Sequence, residues 1–164
     1  MVFKIKILVV SDTHKSFSPL LDLVLEYKGK IDLVIHLGDG EDDIEDLSAA
    51  QPYLPIRAVS GNCDWASLKP GSDIVNIDGA KIFICHGHTL GVERGPDRLA
   101  LEARRLGAST ALFGHTHRQY HKDIFGIQCI NPGSLCKPRD GKYGYAILET
   151  VNGVVNCVLH QIDR

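Results

Sequence analysis

The chain lacks three things that would have decided its class at once: a long apolar run, an excess of one charge, and paired cysteines. No apolar stretch approaches the roughly 20 residues needed to cross a bilayer, which argues against a membrane partner. The formal net charge of −2 over 164 residues leaves no basic field for a long nucleic-acid footprint. Arg94, Arg98, Arg104, Arg105 and Arg118 form a local basic group and read as a solvated helix face. Five cysteines, an odd number with none spaced C-x-x-C, argue against a disulfide framework and against a thiolate zinc site. Cys85, Cys129 and Cys157 sit in apolar runs as small core residues. This usage suits a reducing, cytoplasmic setting. Met1 to Val10 is apolar and basic, but too short for a secretory signal, and no small-residue cleavage site follows. No repeat, low-complexity tract or linker interrupts residues 1–164, so a single domain is expected.

What is present is a succession of short apolar runs. Ile5 to Val10 is a continuous β-branched and leucine stretch, the pattern of a strand buried on both faces. Ser18-Pro19 signals a helix start, Leu20 to Tyr27 has helical spacing, and Gly29 closes it. Asp32 to His36 is a second strand. Glu41 to Asp46 opens a helix with carboxylates in its first turn, where the helix dipole favours them. Pro55 to Val59 is a third strand. Strand alternating with helix predicts a parallel sheet. Asp73 to Ile77 and Lys81 to Cys85 flank the hairpin turn Asp78-Gly79. Pro96 to Leu106 is an amphipathic helix stopped by Gly107, and Thr110 to Phe113 is a further strand. From Tyr120 to His160, short strands separated by Gly126, Gly133, Gly141 and Gly153 read as antiparallel.

The polar residues fall in a telling place. Five apolar strands each run into a segment of metal-capable side chains: Asp12-Thr13-His14, Gly38-Asp39, Gly61-Asn62, His86-Gly87-His88 and His115-Thr116-His117. In open α/β sheets, ligands bind beyond the carboxyl ends of strands, so five separate loops would meet at one edge. Three segments have the form ligand-x-His, which in extended backbone would point both side chains the same way. Imidazole with carboxylate suits Mn²⁺, Ni²⁺, Fe, Zn²⁺ or Co²⁺ better than Ca²⁺ or Mg²⁺. One four-coordinate ion would need fewer donors than these segments supply. Two ions sharing a carboxylate would use them all, and such a pair suits phosphoryl transfer.

Asp12-x-His14, Gly38-Asp39, Gly61-Asn62, His86 and Gly114-His115-x-His117 resemble, in order, the signature of the calcineurin-like metallophosphoesterases. Gly61-Asn62-Cys63-Asp64 and the later Asn131-Pro132-Gly133-Ser134 resemble the compact YfcE-like bacterial and archaeal phosphodiesterases. That group is in turn similar to a retromer subunit of eukaryotes. The resemblance implies an α/β fold: a two-sheet β-sandwich flanked by helices, in four layers α/β/β/α. It also implies roles. Asp12, His14 and His117 would hold one divalent ion, and Asn62, His86 and His115 a second, with Asp39 bridging. Mn²⁺ is the expected metal. A metal-bridging hydroxide would attack the phosphorus of a small phosphate ester, with Asp39, Asn62 and His86 also named as catalytic.

One departure stands at Cys63, where larger members of the family carry a histidine that helps protonate the leaving oxygen. A thiol with an unperturbed pKa near 8.5 is a poor substitute. His88 and His121 are the remaining candidates, and His88 is expected to hydrogen-bond near the site rather than to ligate. His36 and His160 read as structural and surface histidines. Asp64 either orients a ligand or caps the segment at Trp65. Asn131 to Ser134 either forms a turn or lends backbone amides to the site. The functional expectation is a dinuclear phosphodiesterase. A phosphomonoesterase, a retromer-like binding scaffold without catalysis, and a nuclease are the competing classes. A homo-oligomer is compatible with the sequence.

Overall fold

The computed structural model describes residues 2–164; Met1 lies outside them. It contains ten strands in two five-stranded sheets and three α-helices among the described residues. The first sheet has the order β10-β9-β1-β2-β3, with β1 Ile5–Val10, β2 Leu33–His36, β3 Ile56–Ala58, β9 Tyr143–Val151 and β10 Val154–Ile162. The second has the order β4-β5-β6-β8-β7, with β4 Ser72–Ile77, β5 Ala80–Cys85, β6 Thr110–Leu112, β7 Gln119–Ile124 and β8 Ile127–Pro132. The sheets are mixed. β1, β2 and β3 run parallel, as do β5, β6 and β8, and the other neighbours are antiparallel.

The continuous apolar runs are explained by burial on both faces. Ile7 and Val9 point inward and, with Ile35 of β2, meet Ile82, Ile84, Leu112 and Ile130 of the second sheet. Leu8, Val10 and Val34 point outward and pack under α1 Phe17–Glu26 and α2 Glu41–Ala50 through Leu20, Leu23, Ile44 and Leu47. On the far side, Phe83, Ala111 and Cys129 pack under α3 Asp97–Arg105 through Leu99, Ala100 and Ala103. The layers are therefore helix, sheet, sheet, helix, as the resemblance implied. No helix among the described residues is long and apolar enough to cross a membrane.

Three local expectations change. The first helix begins at Phe17 with Ser16 at its N-cap, so Pro19 sits in the third helical position instead of the first. That position still lies within the first turn, where a missing N–H costs no helical bond. The C-terminal region is not wholly antiparallel, because β8 lies parallel to β6 with Ala111 opposite Cys129. Its last two strands are also long, nine residues each around a turn at Asn152-Gly153. The basic group is split as well. Arg98, Arg104 and Arg105 lie on α3, whereas Arg94 ends a 3₁₀ turn and Arg118 lies on a loop.

Leu112 is fully buried where the two sheets meet. Leu112→Ala is expected to lower unfolding stability by about 2–5 kcal/mol, the range for a buried leucine truncation. Urea denaturation would show it as a lower midpoint at unchanged slope.

Candidate metal centre

All five ligand-bearing segments leave the carboxyl ends of strands, three from the first sheet and two from the second. The segments are sewn together across the sheets. Asp12 N donates to Gly38 O at 3.0 Å, His14 N to Asp39 O at 2.9 Å, and Gly114 N to His86 O at 3.0 Å. His115 N donates to Asp12 Oδ2 at 3.1 Å, joining β6 to β1. A Cβ on Gly61 would collide with the Asp39 carboxylate, and one on Gly114 would collide with Ser11 Oγ. These loops reach contact because glycine stands there.

The backbone at the ligands differs from the extended form expected of ligand-x-His. Asp12, His14, Asp39, His115 and His117 have φ of 54°, 47°, 57°, 68° and 56°. This left-handed region costs non-glycine residues about 1–3 kcal/mol each. It turns the chain sharply at each ligand, and so the spacing works by turns rather than by pleat. His88 follows Gly87, itself at φ 107°, and begins a 3₁₀ turn.

The seven named groups converge. His117 Nε2 lies 3.0 Å from Asp12 Oδ1 and 3.2 Å from His14 Nε2. His14 Nε2 is 3.8 Å from both Asp12 Oδ1 and Asp39 Oδ2. On the other side, His86 Nε2 is 3.4 Å from Asp39 Oδ2 and 3.0 Å from Asn62 Oδ1. His115 Nδ1 is also 3.0 Å from Asn62 Oδ1. Asp39 therefore belongs to both sets.

The donor set fits divalent cations. His86 Nδ1 lies 2.7 Å from Leu37 O and His117 Nδ1 lies 2.6 Å from Lys137 O. A carbonyl only accepts, so Nδ1 donates in both rings, and whenever the ring is neutral Nε2 is a lone pair aimed into the centre. The buried Asp12 Oδ1 has no hydrogen-bond partner. Bare nitrogens and carboxylate oxygens at these distances repel unless a proton or a cation lies between them.

The titration behaviour follows. Burial lowers the pKa of His86, but the Asp39 hydrogen bond and the Asp12 charge outweigh it and raise the net value. The Asp12 carboxylate, 3.0 Å away, raises His117 against burial. Burial would raise Asp12, yet His117 and His86 hold it down. Burial would likewise raise Asp39, but the His86 hydrogen bond and charge and the Cys63 amide keep it well below the usual carboxylate range. Burial lowers His14 and His115.

Supporting residues emerge that the sequence left undecided. The Asp64 carboxylate accepts four backbone N–H groups: Asp39 at 2.8 Å, Gly61 at 2.7 Å, Gly40 at 3.0 Å and Glu41 at 3.1 Å. It clamps the loop of Asp39 to the loop of Asn62 and satisfies the first turn of α2. All four of these contacts lie on the loops of Asp39 and Asn62 or at the start of α2, and the segment at Trp65 receives none of them. Neither reading of Asn131 to Ser134 is sufficient. The buried Asn131 donates through Nδ2 to Gly114 O at 2.9 Å, and the buried Ser134 Oγ donates to Asp12 O at 2.8 Å. The amides of Gly133 and Leu135 are engaged by Asn131 Oδ1 and Ser11 O. The segment braces two ligand loops with side chains instead of offering amides.

The other candidates are placed as follows. Cys63 is exposed, its amide donates to Asp39 Oδ1 at 2.8 Å, and burial together with Asp39 pushes its thiol up. His88 packs its ring 5.4 Å from His86 and 6.0 Å from His115, but its buried Nδ1 lacks the expected hydrogen-bond partner. His121 is exposed on edge strand β7 and contacts Gln128 at 3.0 Å, which does not bring it among the ligands. His36 is fully buried, with its pKa lowered to about 4 by burial, and its ring lies 3.0 Å from Thr13 Oγ1. His160 stacks on Tyr145 at 4.9 Å.

Residues 5–153 match the model of the calcineurin-like phosphoesterase superfamily domain. The chain belongs to that superfamily. It is 33% identical over 148 residues to a probable metallophosphoesterase, YsnB, of Bacillus subtilis, covering 89% of this chain and 85% of that one. A phosphodiesterase of Methanocaldococcus jannaschii is 28% identical over 165 residues, covering 88% of this chain and 93% of that protein. A predicted phosphoesterase of Streptococcus pneumoniae of known crystal structure superposes with a TM-score of 0.83 at 28% identity, covering 98% of this chain and 91% of that one. As a metallophosphoesterase family member, the chain is a phosphoesterase hydrolase with candidate ligands for divalent metal.

Two outcomes are expected. Metal binding must displace the protons that His86 and His117 hold above the usual histidine range, so metal affinity should rise as pH climbs above about 6.5. Calorimetric titration of Mn²⁺ in buffers of different ionisation enthalpy would show proton release; none would refute the assignment. Asp64→Ala removes the acceptor of four amides and should cost at least about 2 kcal/mol of stability. It should also weaken Mn²⁺ binding, whereas Asp64→Asn keeps part of both.

Proposed function

We propose that the chain is a dinuclear metal-dependent phosphodiesterase acting on a small phosphate ester. The observation that carries this reading is the pair of overlapping donor sets that share Asp39, with the unpartnered Asp12 Oδ1 facing the first of them. Asp12, His14, Asp39 and His117 would hold one ion, and Asp39, Asn62, His86 and His115 the other. The mixture of imidazole and carboxylate favours Mn²⁺, with Ni²⁺, Fe, Zn²⁺ or Co²⁺ as alternatives. Two such ions supply Lewis acidity toward phosphate oxygens and a nucleophile from water of lowered pKa.

The chain's own residues do the rest. The carbonyls of Leu37 and Lys137 fix the His86 and His117 tautomers, so neither ring needs to reorient before binding. Asp64 and the Cys63 amide hold Asp39 between the two sets. The raised thiol pKa keeps Cys63 protonated at neutral pH, which makes it a poor proton shuttle and favours esters with good leaving groups.

Diester specificity is supported by shape. One cleft of about 520 Å³ opens beside His14, Asp39 and Cys63. Another of about 600 Å³ opens beside His115 and Thr116. A diester carries two organic groups, and the centre has a cleft for each. The name of the M. jannaschii relative points the same way.

With Mn²⁺ present, bis(p-nitrophenyl) phosphate should be hydrolysed faster than p-nitrophenyl phosphate, and chelation should abolish both. Asp39→Asn should cut kcat/KM by roughly 100-fold or more, the loss typical of a group that stabilises transition-state charge, and lower metal content. No metal-dependent turnover of either ester would overturn the enzyme reading. A preference for the monoester would overturn only the diester part.

A further inference from the structure

The cleft beside His115 has a charge that the hydrolytic centre does not require. Three arginines line it, Arg94, Arg118 and Arg139, against one acidic side chain, Glu93. They come from three different segments: the 3₁₀ turn after His88, the residue following His117, and the loop after Lys137. Each is tied to a ligand loop or a closed turn. Arg139 N donates to His117 O at 2.9 Å, Arg118 N to Thr116 Oγ1 at 3.3 Å, and Arg94 N to Gly91 O at 3.0 Å. Elsewhere in the chain Arg57 pairs with Asp73 and Arg105 with Glu102. Among the described residues, Arg94, Arg118 and Arg139 have no ion-pair partner, as is also true of Arg98, Arg104 and Arg164, which do not line the cleft, and Glu93 instead faces His115 Nε2 at 3.9 Å. These three exposed arginines give the cavity a net positive lining, which favours an oxyanion there.

The cleft on the other side has the opposite character. Glu41, Asp42 and Glu45 line it with Lys15 and Lys137, and Lys15 lies 3.8 Å from Asp42. The charge difference between the clefts gives the centre a polarity.

We propose that the arginine-lined cleft receives a second anionic group of the substrate, a phosphoryl or carboxylate group on the ester substituent that lies beside His115. The guanidinium fork matches such oxyanions with paired hydrogen bonds. The cleft's volume of about 600 Å³ suits a small molecule, and the overall charge of −2 gives no field for a long polyanion. This proposal rests on the phosphoesterase reading above and narrows it to esters that carry a further anion.

The test compares thymidine 5′-(p-nitrophenyl phosphate) with the same ester phosphorylated at its 3′ oxygen, in the Mn²⁺-loaded protein. The 3′ phosphate should raise kcat/KM by roughly tenfold or more, the equivalent of one charge-assisted hydrogen bond, chiefly through KM. In Arg94→Gln/Arg139→Gln, and separately in Arg118→Gln, the ratio between the two substrates should fall toward one. The corresponding carboxymethyl ester distinguishes a carboxylate from a phosphoryl preference. Equal kcat/KM for the two thymidine esters in the unaltered protein would overturn the proposal while leaving the esterase reading standing. An advantage that survives in folded variants, judged by circular dichroism, would overturn the arginine assignment. Hydrolysis of neither thymidine ester, with bis(p-nitrophenyl) phosphate still turned over, would also overturn it. Loss of turnover on all three esters would bring down the esterase reading itself.

Discussion

The centre depends on one buried carboxylate with unequal oxygens. Asp12 Oδ2 is satisfied by the Ser11 hydroxyl at 2.6 Å and the His115 amide at 3.1 Å. Oδ1 has no hydrogen bond and lies among the nitrogens of His14, His86 and His117. One oxygen is structural and ties the first sheet to the second. The other faces the candidate metal centre. A buried, unpaired carboxylate oxygen is costly in a dry interior. It persists because the surrounding hydrogen bonds hold it there.

Those hydrogen bonds run between elements distant in the chain. Asp64 joins the loops of β2 and β3, Asn131 reaches the β6 loop, and Ser134 reaches the β1 loop. Asp64, Asn131 and Ser134 each bind backbone, so much of the framework is held through main-chain groups. The ligand atoms inherit their positions from main-chain groups of two packed sheets, and these move little once the core between them is formed.

The strands, and the gathering of metal-capable side chains at their carboxyl ends, were legible in the sequence for the same reason. Apolar runs buried on both faces, such as Ile5 to Val10, end abruptly where a polar side chain must stand at the sheet edge. The supporting residues were harder to read because their partners are non-local. Nothing near Asp64 indicates that its carboxylate will collect amides from Gly40 and Glu41, more than twenty positions away. Arg139 is separated from Arg94 by a helix and three strands and joins it only through the fold. Backbone conformation was misread for a different reason: aspartate and histidine do not announce φ above zero as glycine does. The parallel pairing of β8 with β6 was hidden because a tight hairpin joins β8 to β7, which hides the second neighbour it gains.

The left-handed ligands set stability and activity against each other at the same positions. Glycine or asparagine would occupy φ near +55° at lower cost than the residues now at Asp12, His14, Asp39, His115 and His117. Selection for a more robust chain would therefore draw these positions away from the side chains that the centre needs. The protein carries that strain as a standing feature of its native state, and bound metal would return part of it by mass action. A variant of this chain that melts higher without metal would be a candidate for one that has stopped being an enzyme.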